Sequence, residues 1–279
     1  MKILVTGVKG QLGYDVVAEA EKRGITAIGV DVEEMDITDP KQCEAVIKAG
    51  NYDAVVHCAA WTAVDAAEDH VDACRKVNAE GTRNIAQVCE ALNIKMMYFS
   101  TDYVFDGTGN SPWAEYDVRE PLNVYGQTKY EGELEVERLK KHFIIRIAWV
   151  FGKNGNNFIK TMLRLGKERG AVSVVNDQIG SPTYTYDLAR LVIDMIQTDR
   201  YGTYHATNEG VCSWYEFACE IFQQAGMDVE VTPVSSDEFP AKAKRPSNSR
   251  MSKTLLDDNG FERLPSWQDA LGRYLKEIL

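Results

Sequence analysis

The sequence predicts an α/β protein whose main element is a doubly wound parallel sheet, with a smaller and irregular α/β lobe at the C-terminal end. Three observations support this prediction: short apolar runs alternate with amphipathic stretches, most of those runs are almost continuously apolar, and a glycine-rich turn follows the first run. The chain has 279 residues, of which 44% are hydrophobic and 26% are charged. This composition is typical of a globular protein with one large or two small domains.

The regular alternation occupies the first 150 residues. The predicted strands are residues 2–6, 26–30, 54–57, 95–100 and 143–148, and the predicted helices are residues 11–22, 41–48, 71–92 and 124–139. Strands separated by helices in this way form right-handed βαβ units, whose ligand crevice lies at the carboxyl ends of the strands. We therefore expect a Rossmann-like domain over residues 1–150.

The alternation weakens after residue 150. The remaining predicted helices are residues 156–168, 186–197, 213–224 and 267–279, and the remaining strands are residues 172–175 and 202–206. Residues 151–279 are expected to form mainly a substrate-binding lobe, with segments of residues 170–205 returning to the first domain. Because no linker rich in proline or glycine separates the two parts, they are expected to form one continuous body.

Charge and cysteine content exclude several classes of function. The net charge of −11 repels nucleic acid and anionic membranes, so neither is expected as a partner. The six cysteines are scattered without a CxxC pair, which favours buried free thiols and predicts no required metal. The apolar start at residues 3–5 is too short for a signal peptide, and we expect a cytoplasmic protein.

The turn after the first strand, GVKGQLG at residues 7–13, places Gly7, Gly10 and Gly13 between a strand and a helix. Glycines there let the backbone approach a pyrophosphate, which the helix N-terminus attracts. Asp31, after the second strand, can accept hydrogen bonds from an adenosine ribose, which favours NADH. Lys9 lies within the turn and can neutralise a 2′-phosphate, so NADPH stays open. The alternative for the glycine turn is a βα turn that binds no ligand, and the alternative for Asp31 is a solvated loop residue without a binding role.

A second motif, YGQTK, places Tyr125 and Lys129 four residues apart on one face of a predicted helix. An ammonium near a phenol lowers the pKa of the phenol, which would make Tyr125 a general acid for a carbonyl oxygen. Ser100 and Thr101 end the fourth strand at the crevice, where Thr101 can donate a hydrogen bond to the same carbonyl. The alternative is that both hydroxyls only satisfy backbone groups of a turn.

With these motifs, the chain resembles the extended short-chain dehydrogenase/reductases, and among them the dTDP-4-dehydrorhamnose reductases. The segments that carry the resemblance run in order through nearly the whole chain. They are TGVKGQLG (6–13), HCAAWTAVDAAE (57–68), STDYVFDGTG (100–109), PLNVYGQTKYEGE (121–133), RIAWVFGKNGNNFIKTML (146–163), VVNDQIGSPTYTYDLA (174–189) and RPSNSRMSK (245–253).

The resemblance implies hydride transfer from NADH or NADPH to the C4 ketone of a nucleotide-linked 4-keto-6-deoxyhexose, with NADH slightly favoured. The implied catalytic residues are Thr101, Tyr125 and Lys129. The implied cofactor contacts, together with those from the glycine turn, are Gly7, Gly10, Gln11, Leu12, Gly13, Asp31, Asp36, Ile37, Ala60, Trp61, Thr62, Tyr125 and Lys129. The implied substrate contacts are Thr101, Asp102, Trp149, Asn157 and Arg250. Some members of the family are metal-assisted dimers, but only Asp15 matches their acidic set, so a monomer or a homodimer is expected without a metal.

Residues 241–253 are locally basic, with five cations and no acidic residue, and they suit a diphosphate. A solvated basic loop is the alternative.

Other functions on the same fold are a nucleotide-sugar 4-reductase for a different sugar, an epimerase or a dehydratase, and a reductase-like regulatory subunit without activity. A dehydratase requires Thr-Asp-Glu after the fourth strand, whereas this chain has Thr101-Asp102-Tyr103.

Overall fold

A computed structural model describes residues 1–239 and 241–279. Its strands form one large sheet and three two-stranded pairs. In chain order the strands are β1 (Lys2–Thr6), β2 (Thr26–Val30), β3 (Ala54–His57), β4 (Lys95–Thr101), β5 (His142–Ile147), β6 (Val150–Phe151), β7 (Ala171–Val175), β8 (Ile179–Gly180), β9 (Thr183–Tyr184), β10 (Gly202–His205), β11 (Cys212–Ser213) and β12 (Glu230–Val234).

The helices alternate with these strands in the first half and dominate the second half. In chain order they are α1 (Gln11–Lys22), α2 (Pro40–Gly50), α3 (Val64–Ala67), α4 (Val71–Arg75), α5 (Thr82–Leu92), α6 (Val124–Val136), α7 (Phe158–Arg169), α8 (Thr185–Ile196), α9 (Trp214–Gln224), α10 (Thr254–Asp258) and α11 (Trp267–Ile278). A π-helix, Lys76–Gly81, joins α4 to α5, and a 3₁₀-helix, Asp102–Val104, follows β4.

The large sheet is parallel throughout and has the strand order β10-β5-β4-β3-β1-β2. The chain therefore moves outward from β1 to β2, then crosses back to β3 on the other side of β1. The change of direction leaves a crevice at the carboxyl ends of β1 and β3, where doubly wound sheets bind ligands. The predicted α/β fold class is confirmed.

Two apolar cores cover the two faces of the sheet. Ile3 and Val5 of β1 pack with α1 and α8 on one face, whereas Leu4 packs with α2 and α5 on the other. Successive side chains of a strand point to opposite faces, so a strand that is buried on both faces must be apolar at every position. Both α8 and β10, although late in the sequence, belong to this sheet layer.

A third core holds the second lobe together, where α7, α9 and α11 pack around the parallel pair of β7 and β12. Most predicted elements are within two residues of the observed ones. The main difference is the predicted helix 71–92, which the π-helix divides. In the part of the chain that the structure describes, we find no helix with the length and apolarity to cross a membrane.

Candidate active site

The glycine turn lies at the crevice and has a geometry that only glycine tolerates. Gly7 has φ +68°, and a Cβ atom on it would lie 2.7 Å from the backbone nitrogen of Ala59, in the loop after β3. Gly10 is the N-cap of α1, no side chain caps this end of the helix, and its first turn contains no acidic residue. The free N–H groups and the positive end of the helix dipole therefore suit a pyrophosphate.

A cleft of about 700 Å³ opens above this turn. It brings together most of the residues that the sequence predicts for cofactor and catalysis. These lining residues are Gly7, Gly10, Gln11, Leu12, Gly13, Asp31, Ala60, Thr62, Thr101, Asp102, Tyr125, Lys129 and Trp149.

A chain of buried hydrogen bonds fixes the cofactor end of the cleft. The Ala59 N–H donates to Thr6 Oγ1 (3.1 Å), and Thr6 Oγ1 pairs with His57 Nδ1 (2.8 Å). The other ring nitrogen, His57 Nε2, pairs with Thr82 Oγ1 (3.2 Å), whose own proton goes to the Asn78 carbonyl (2.7 Å). Thr82 must therefore accept from His57, so the neutral ring carries its proton on Nε2.

The environment of His57 keeps the ring neutral. Burial and the nearby Lys129 lower the pKa of His57 to about 3. Asn78, in the π-helix, continues the same network: it accepts from the Trp61 N–H (2.8 Å) and donates to Thr128 Oγ1 of α6 (3.1 Å). The loop after β3 is thus tied to β1 on one side and to α6 on the other. His57 is thus a buried, neutral ring that links β1 to the helical segment after the loop.

Asp31 lines the cleft beside the glycine turn. Its carboxylate accepts hydrogen bonds from the backbone N–H of Lys9 (3.0 Å) and of Val32 (2.9 Å). The Lys9 ammonium, which also lines the cleft, forms an exposed ion pair with Glu33 (2.5 Å).

Thr101, Tyr125 and Lys129 line the same cleft from β4 and α6. Asn123 caps α6 by accepting from the Gly126 N–H (2.8 Å), and this cap fixes the start of the helix. One turn along the same face, the Lys129 ammonium lies 4.1 Å from the centre of the buried Tyr98 ring. The ring of Tyr103 packs edge-on against Tyr125 at 5.6 Å.

The pKa of Tyr125 is shifted in the opposite direction from the one that the sequence predicts. Burial raises the pKa of Tyr125 above its ordinary value. The negative charge of Asp102 raises this pKa further, whereas a hydrogen bond with the Thr101 side chain lowers it. Lys129 is not among the groups that shift the pKa of Tyr125. The main cause is the burial of Tyr125 itself. Lys129 is buried too, and burial lowers the pKa of Lys129 to about 7 against the attraction of Glu133. Tyr125 therefore stays protonated at neutral pH, as a proton donor must.

Two buried polar atoms beside this group have no hydrogen-bond partner among the residues described, namely Ser100 Oγ and Asp102 Oδ2. Both side chains line the cleft and are about 2% exposed. The other carboxylate oxygen, Asp102 Oδ1, accepts from Thr101 Oγ1 (3.0 Å). Burial raises the pKa of Asp102 to about 6, although the Ser249 and Thr101 hydroxyls oppose the shift. Unpartnered buried atoms are costly, and these two can take a polar ligand because they line the cleft. Atoms of the same kind also occur away from the cleft, at Glu115, Glu209 and Trp267.

Trp149 lines the same cleft in an unusual backbone conformation. Its φ is +49°, a left-handed value that costs a bulky residue about 1–3 kcal/mol. Its indole stacks on Trp214 of α9, with ring centres 3.7 Å apart and an interplanar angle of 15°. Trp214 lines both the cleft and a second cavity of about 360 Å³, whose wall is largely apolar and includes Phe158, Phe239 and Arg245.

Five predicted site residues do not line either cavity. Ile37 is buried in the apolar core and the Asp36 carboxylate accepts from Thr38. The Trp61 indole donates to a backbone carbonyl. Asn157 caps α7, and its amide donates to Gln11, Gly152 and Tyr274, which leaves no free donor for a substrate. The Arg250 guanidinium binds Asn248.

The basic loop is less free to bind an anion than its sequence suggests. Arg245 donates through both terminal nitrogens to Asp65 of α3, at 3.1 and 2.7 Å, and Lys242 pairs with Asp69. Sequence reasoning did not single out these acidic partners, nor Asn78 and Trp214. None of them carries a local motif, because each meets its partner across a long stretch of chain.

Comparisons with known proteins agree with this geometry. The family model described as "RmlD substrate binding domain" matches residues 1–279. A dTDP-4-dehydrorhamnose reductase from Aggregatibacter actinomycetemcomitans is 38% identical over 97% of this chain and 97% of its own length. A dTDP-4-keto-6-deoxy-D-glucose reductase from Streptomyces niveus is 38% identical over 96% of this chain and 94% of its own.

A solved structure gives the same result in three dimensions. The crystal structure of dTDP-4-dehydrorhamnose reductase from Bacillus anthracis, in complex with NADP, is 44% identical, covers 99% of both chains and superposes with a TM-score of 0.96. Full-length matches at these identities confirm the resemblance seen in the sequence motifs. The chain belongs to the dTDP-4-dehydrorhamnose reductase family.

Proposed function

We propose that this protein reduces the C4 ketone of dTDP-4-dehydro-L-rhamnose to give dTDP-L-rhamnose, with NADH or NADPH as the reductant. The observation that carries the proposal is the convergence of Thr101, Tyr125 and Lys129 in one cleft with the glycine turn. The free N–H groups at the start of α1 and the close approach of Gly7 fit a dinucleotide pyrophosphate. When bound there, the nicotinamide supplies the hydride.

The residues of the chain supply the proton and the orientation. Tyr125 donates its proton to the C4 oxygen as charge develops on that atom, and its raised pKa keeps the proton available. Thr101, which donates to Asp102 Oδ1 in this structure, is proposed to turn its hydroxyl to the same oxygen when the substrate binds and so to orient the carbonyl. Lys129 lies one helical turn from Tyr125 on the same face of α6 and lines the same cleft, where its ammonium is proposed to donate a hydrogen bond to the cofactor.

The substrate is proposed to extend from the cleft into the second cavity. Asp102 and Ser100 face the sugar with unpartnered polar atoms and accept or donate hydrogen bonds to its hydroxyls. Arg245, rather than Arg250, is the cation in the wall of the second cavity, beside the aromatic ring of Trp214. The aromatic wall suits a nucleoside base, and a diphosphate would have to take the place of the Asp65 carboxylate on Arg245, because that carboxylate accepts from both terminal nitrogens and lines the same cavity.

In this scheme residues 1–150 bind the cofactor and residues 151–279 mainly bind the substrate, apart from the α8 and β10 segments in the sheet layer. NADH is proposed to be slightly favoured, because Asp31 sits at the adenosine end and Lys9 is paired with Glu33. The protein is proposed to work as a monomer or homodimer, without a required metal, nucleic acid or membrane partner.

The test is turnover of the purified protein with dTDP-4-dehydro-L-rhamnose and each cofactor, followed by NMR of the product. We expect stoichiometric oxidation of NADH or NADPH and a product with the L-rhamno configuration. No net cofactor oxidation with a changed sugar would indicate an epimerase or dehydratase. Preference for dTDP-4-keto-6-deoxy-D-glucose would make the chain a 4-reductase for another sugar. Absence of turnover with a stoichiometric enzyme partner would indicate a regulatory subunit.

A further inference from the structure

The stacked tryptophans stand out because one of them has a backbone conformation that its residue type disfavours. Trp149 has φ +49°, which is rare for a bulky side chain and persists only where the surroundings hold it. It lines the reaction cleft directly after Ala148, at the carboxyl end of the β5 region. The conformation aims a large aromatic ring at the place where the substrate is proposed to bind, so its cause matters for function.

Hydrogen bonds fix the backbone of Trp149 but not its side chain. Its carbonyl accepts from the Thr183 N–H (3.1 Å), and the Thr183 hydroxyl donates to the preceding carbonyl, that of Ala148 (2.5 Å). These bonds hold the peptide groups on either side of Cα but leave the indole free to change its rotamer. The ring itself must be held by what it packs against.

Two neighbours hold the indole. Gly180 lies beside it, since a Cβ atom there would be 2.9 Å from Cε2 of Trp149. On the ring, Trp214 stacks at 3.7 Å with an interplanar angle of 15°. The backbone of Trp214 is fixed, because Trp214 follows the N-cap of α9, where Ser213 and Glu216 form a capping box.

The two supports are parts of one frame. Ser213 and Cys212 form β11, which pairs with β8, and Cys212 lies opposite Gly180 in that pair. The strand pair therefore fixes Gly180 and Trp214 relative to each other, with Trp149 in contact with both. Phe158 of α7 packs against Trp214 with ring centres 4.6 Å apart and supports it further.

We propose that Trp214 is a positioning residue for substrate binding: by stacking on Trp149, it holds that indole ring against the reaction cleft. The proposal rests on the proposed function, in which the keto sugar occupies the cleft beside Trp149. Trp214 also lines the second cavity, so the same ring separates the reacting sugar from the rest of the substrate. Trp214 has no predicted role in holding the cofactor.

The test compares W214L, which removes the stack, with W214F, which keeps a smaller aromatic ring. W267F is the matched control, because Trp267 is a buried tryptophan of the same lobe that lines neither cavity. For W214L we expect the KM for dTDP-4-dehydro-L-rhamnose to rise about tenfold while the KM for the cofactor stays at the wild-type value. For W214F we expect a smaller rise, and for W267F no change.

Circular dichroism supplies a readout that does not depend on activity. Two indoles stacked this closely give an exciton couplet, which we expect in the wild type and in W267F and not in W214L or W214F. A wild-type KM for the sugar in W214L, an equal rise in W267F, or a couplet that survives in W214L would each overturn the proposal. If W214L does not fold, W214F decides: a raised KM supports the proposal and an unchanged KM overturns it.

The proposed function fails in a different way. A wild-type chain that reduces no nucleotide-linked ketone would refute the reductase activity. The couplet and its loss in the folded W214F variant would still show whether Trp214 pairs with Trp149. The two failures are therefore distinguishable.

Discussion

The two ends of the cleft are built in opposite ways. At the cofactor end, polar groups such as Thr6, His57 and Thr82 are joined in one hydrogen-bond chain that leaves none of these three side chains without a partner. At the substrate end, Ser100 Oγ and Asp102 Oδ2 are buried without partners in the described chain, and Trp149 has a left-handed backbone. The side chains of this network at the cofactor end are paired, while backbone N–H groups at the start of α1 stay free for a pyrophosphate, and the substrate end has side-chain hydrogen-bonding capacity left for a ligand.

This difference separates the groups that hold the structure of the cleft from the groups that bind or convert the substrate. A fully paired network is rigid and positions backbone atoms, and it contributes mostly to stability and cofactor affinity. Unpartnered atoms and strained residues reduce stability and persist where binding or catalysis uses them. Substitutions at the substrate end should therefore reduce activity more than stability, and substitutions at the cofactor end should do the reverse.

The largest expected effect is at the proton donor. Y125F removes the hydroxyl but keeps the ring against Tyr103, so we expect kcat to fall by about 10³-fold with little change in cofactor affinity. The measurement is steady-state turnover together with cofactor titration by fluorescence. Turnover near the wild-type rate would assign the proton to another group and break the proposed division of the cleft.

The next largest expected effect is a loss of activity above pH 7, which follows from the titration of Lys129. The pKa of Lys129 is about 7 in the fold, below its ordinary 10.5, because the ammonium is buried. Its charged form is thus lost as the pH rises through 7, and kcat/KM for the cofactor should then fall about tenfold per pH unit. Because the raised pKa of Tyr125 keeps the phenol protonated, it adds no second step below pH 9. A flat profile between pH 6 and pH 9 would contradict this interpretation.

A substitution of Asp102 tests substrate binding without changing the cofactor end of the cleft. D102N keeps the shape but weakens the acceptor at Oδ2, and we expect the KM for the nucleotide sugar to rise about tenfold or more. Because the wild-type carboxylate is buried at a raised pKa, the variant should unfold at the same temperature or higher. D106N is the control, since Asp106 accepts hydrogen bonds only within its own turn at Thr108. An equal rise in D106N would show that the effect is not specific to the cleft.

His57 tests the cofactor end. H57L leaves Thr6 and Thr82 without their ring partner, so the free energy of unfolding should fall by about 1–3 kcal/mol. We expect a few-fold rise in the KM for the cofactor and an unchanged kcat. In the wild type, ¹⁵N NMR should show the Nε2–H tautomer with no titration between pH 5 and pH 9, because the pKa of His57 is about 3. A protonation step near pH 6.5 would break the proposed network.

The sequence predicts the local parts of this site and misses the long-range parts. Gly7 and Gly13, like Tyr125 and Lys129, are spaced within one turn or one helix, so their joint position follows from local geometry. Asp65 meets Arg245 across 180 residues, and Asn78 meets Thr128 across 50. Such pairs depend on how the two lobes and the π-helix pack. The predicted direction of the pKa shift of Tyr125 is wrong for the same reason. The spacing in the sequence shows that Lys129 is near Tyr125, but it does not show that both side chains are buried.

The smallest expected effect lies at the rim of the cofactor end, where Lys9 pairs with Glu33. Both side chains are largely exposed, so the ion pair contributes little to stability, and E33Q should leave the unfolding temperature unchanged. The variant frees the Lys9 ammonium for a 2′-phosphate, so the ratio of kcat/KM for NADPH to that for NADH should rise about two- to fivefold. E44Q, which breaks an exposed ion pair with Lys48 on α2, is the control and should not change the ratio. An unchanged ratio in E33Q would mean that Lys9 does not face the 2′ position, and that Asp31 alone sets the preference at this end.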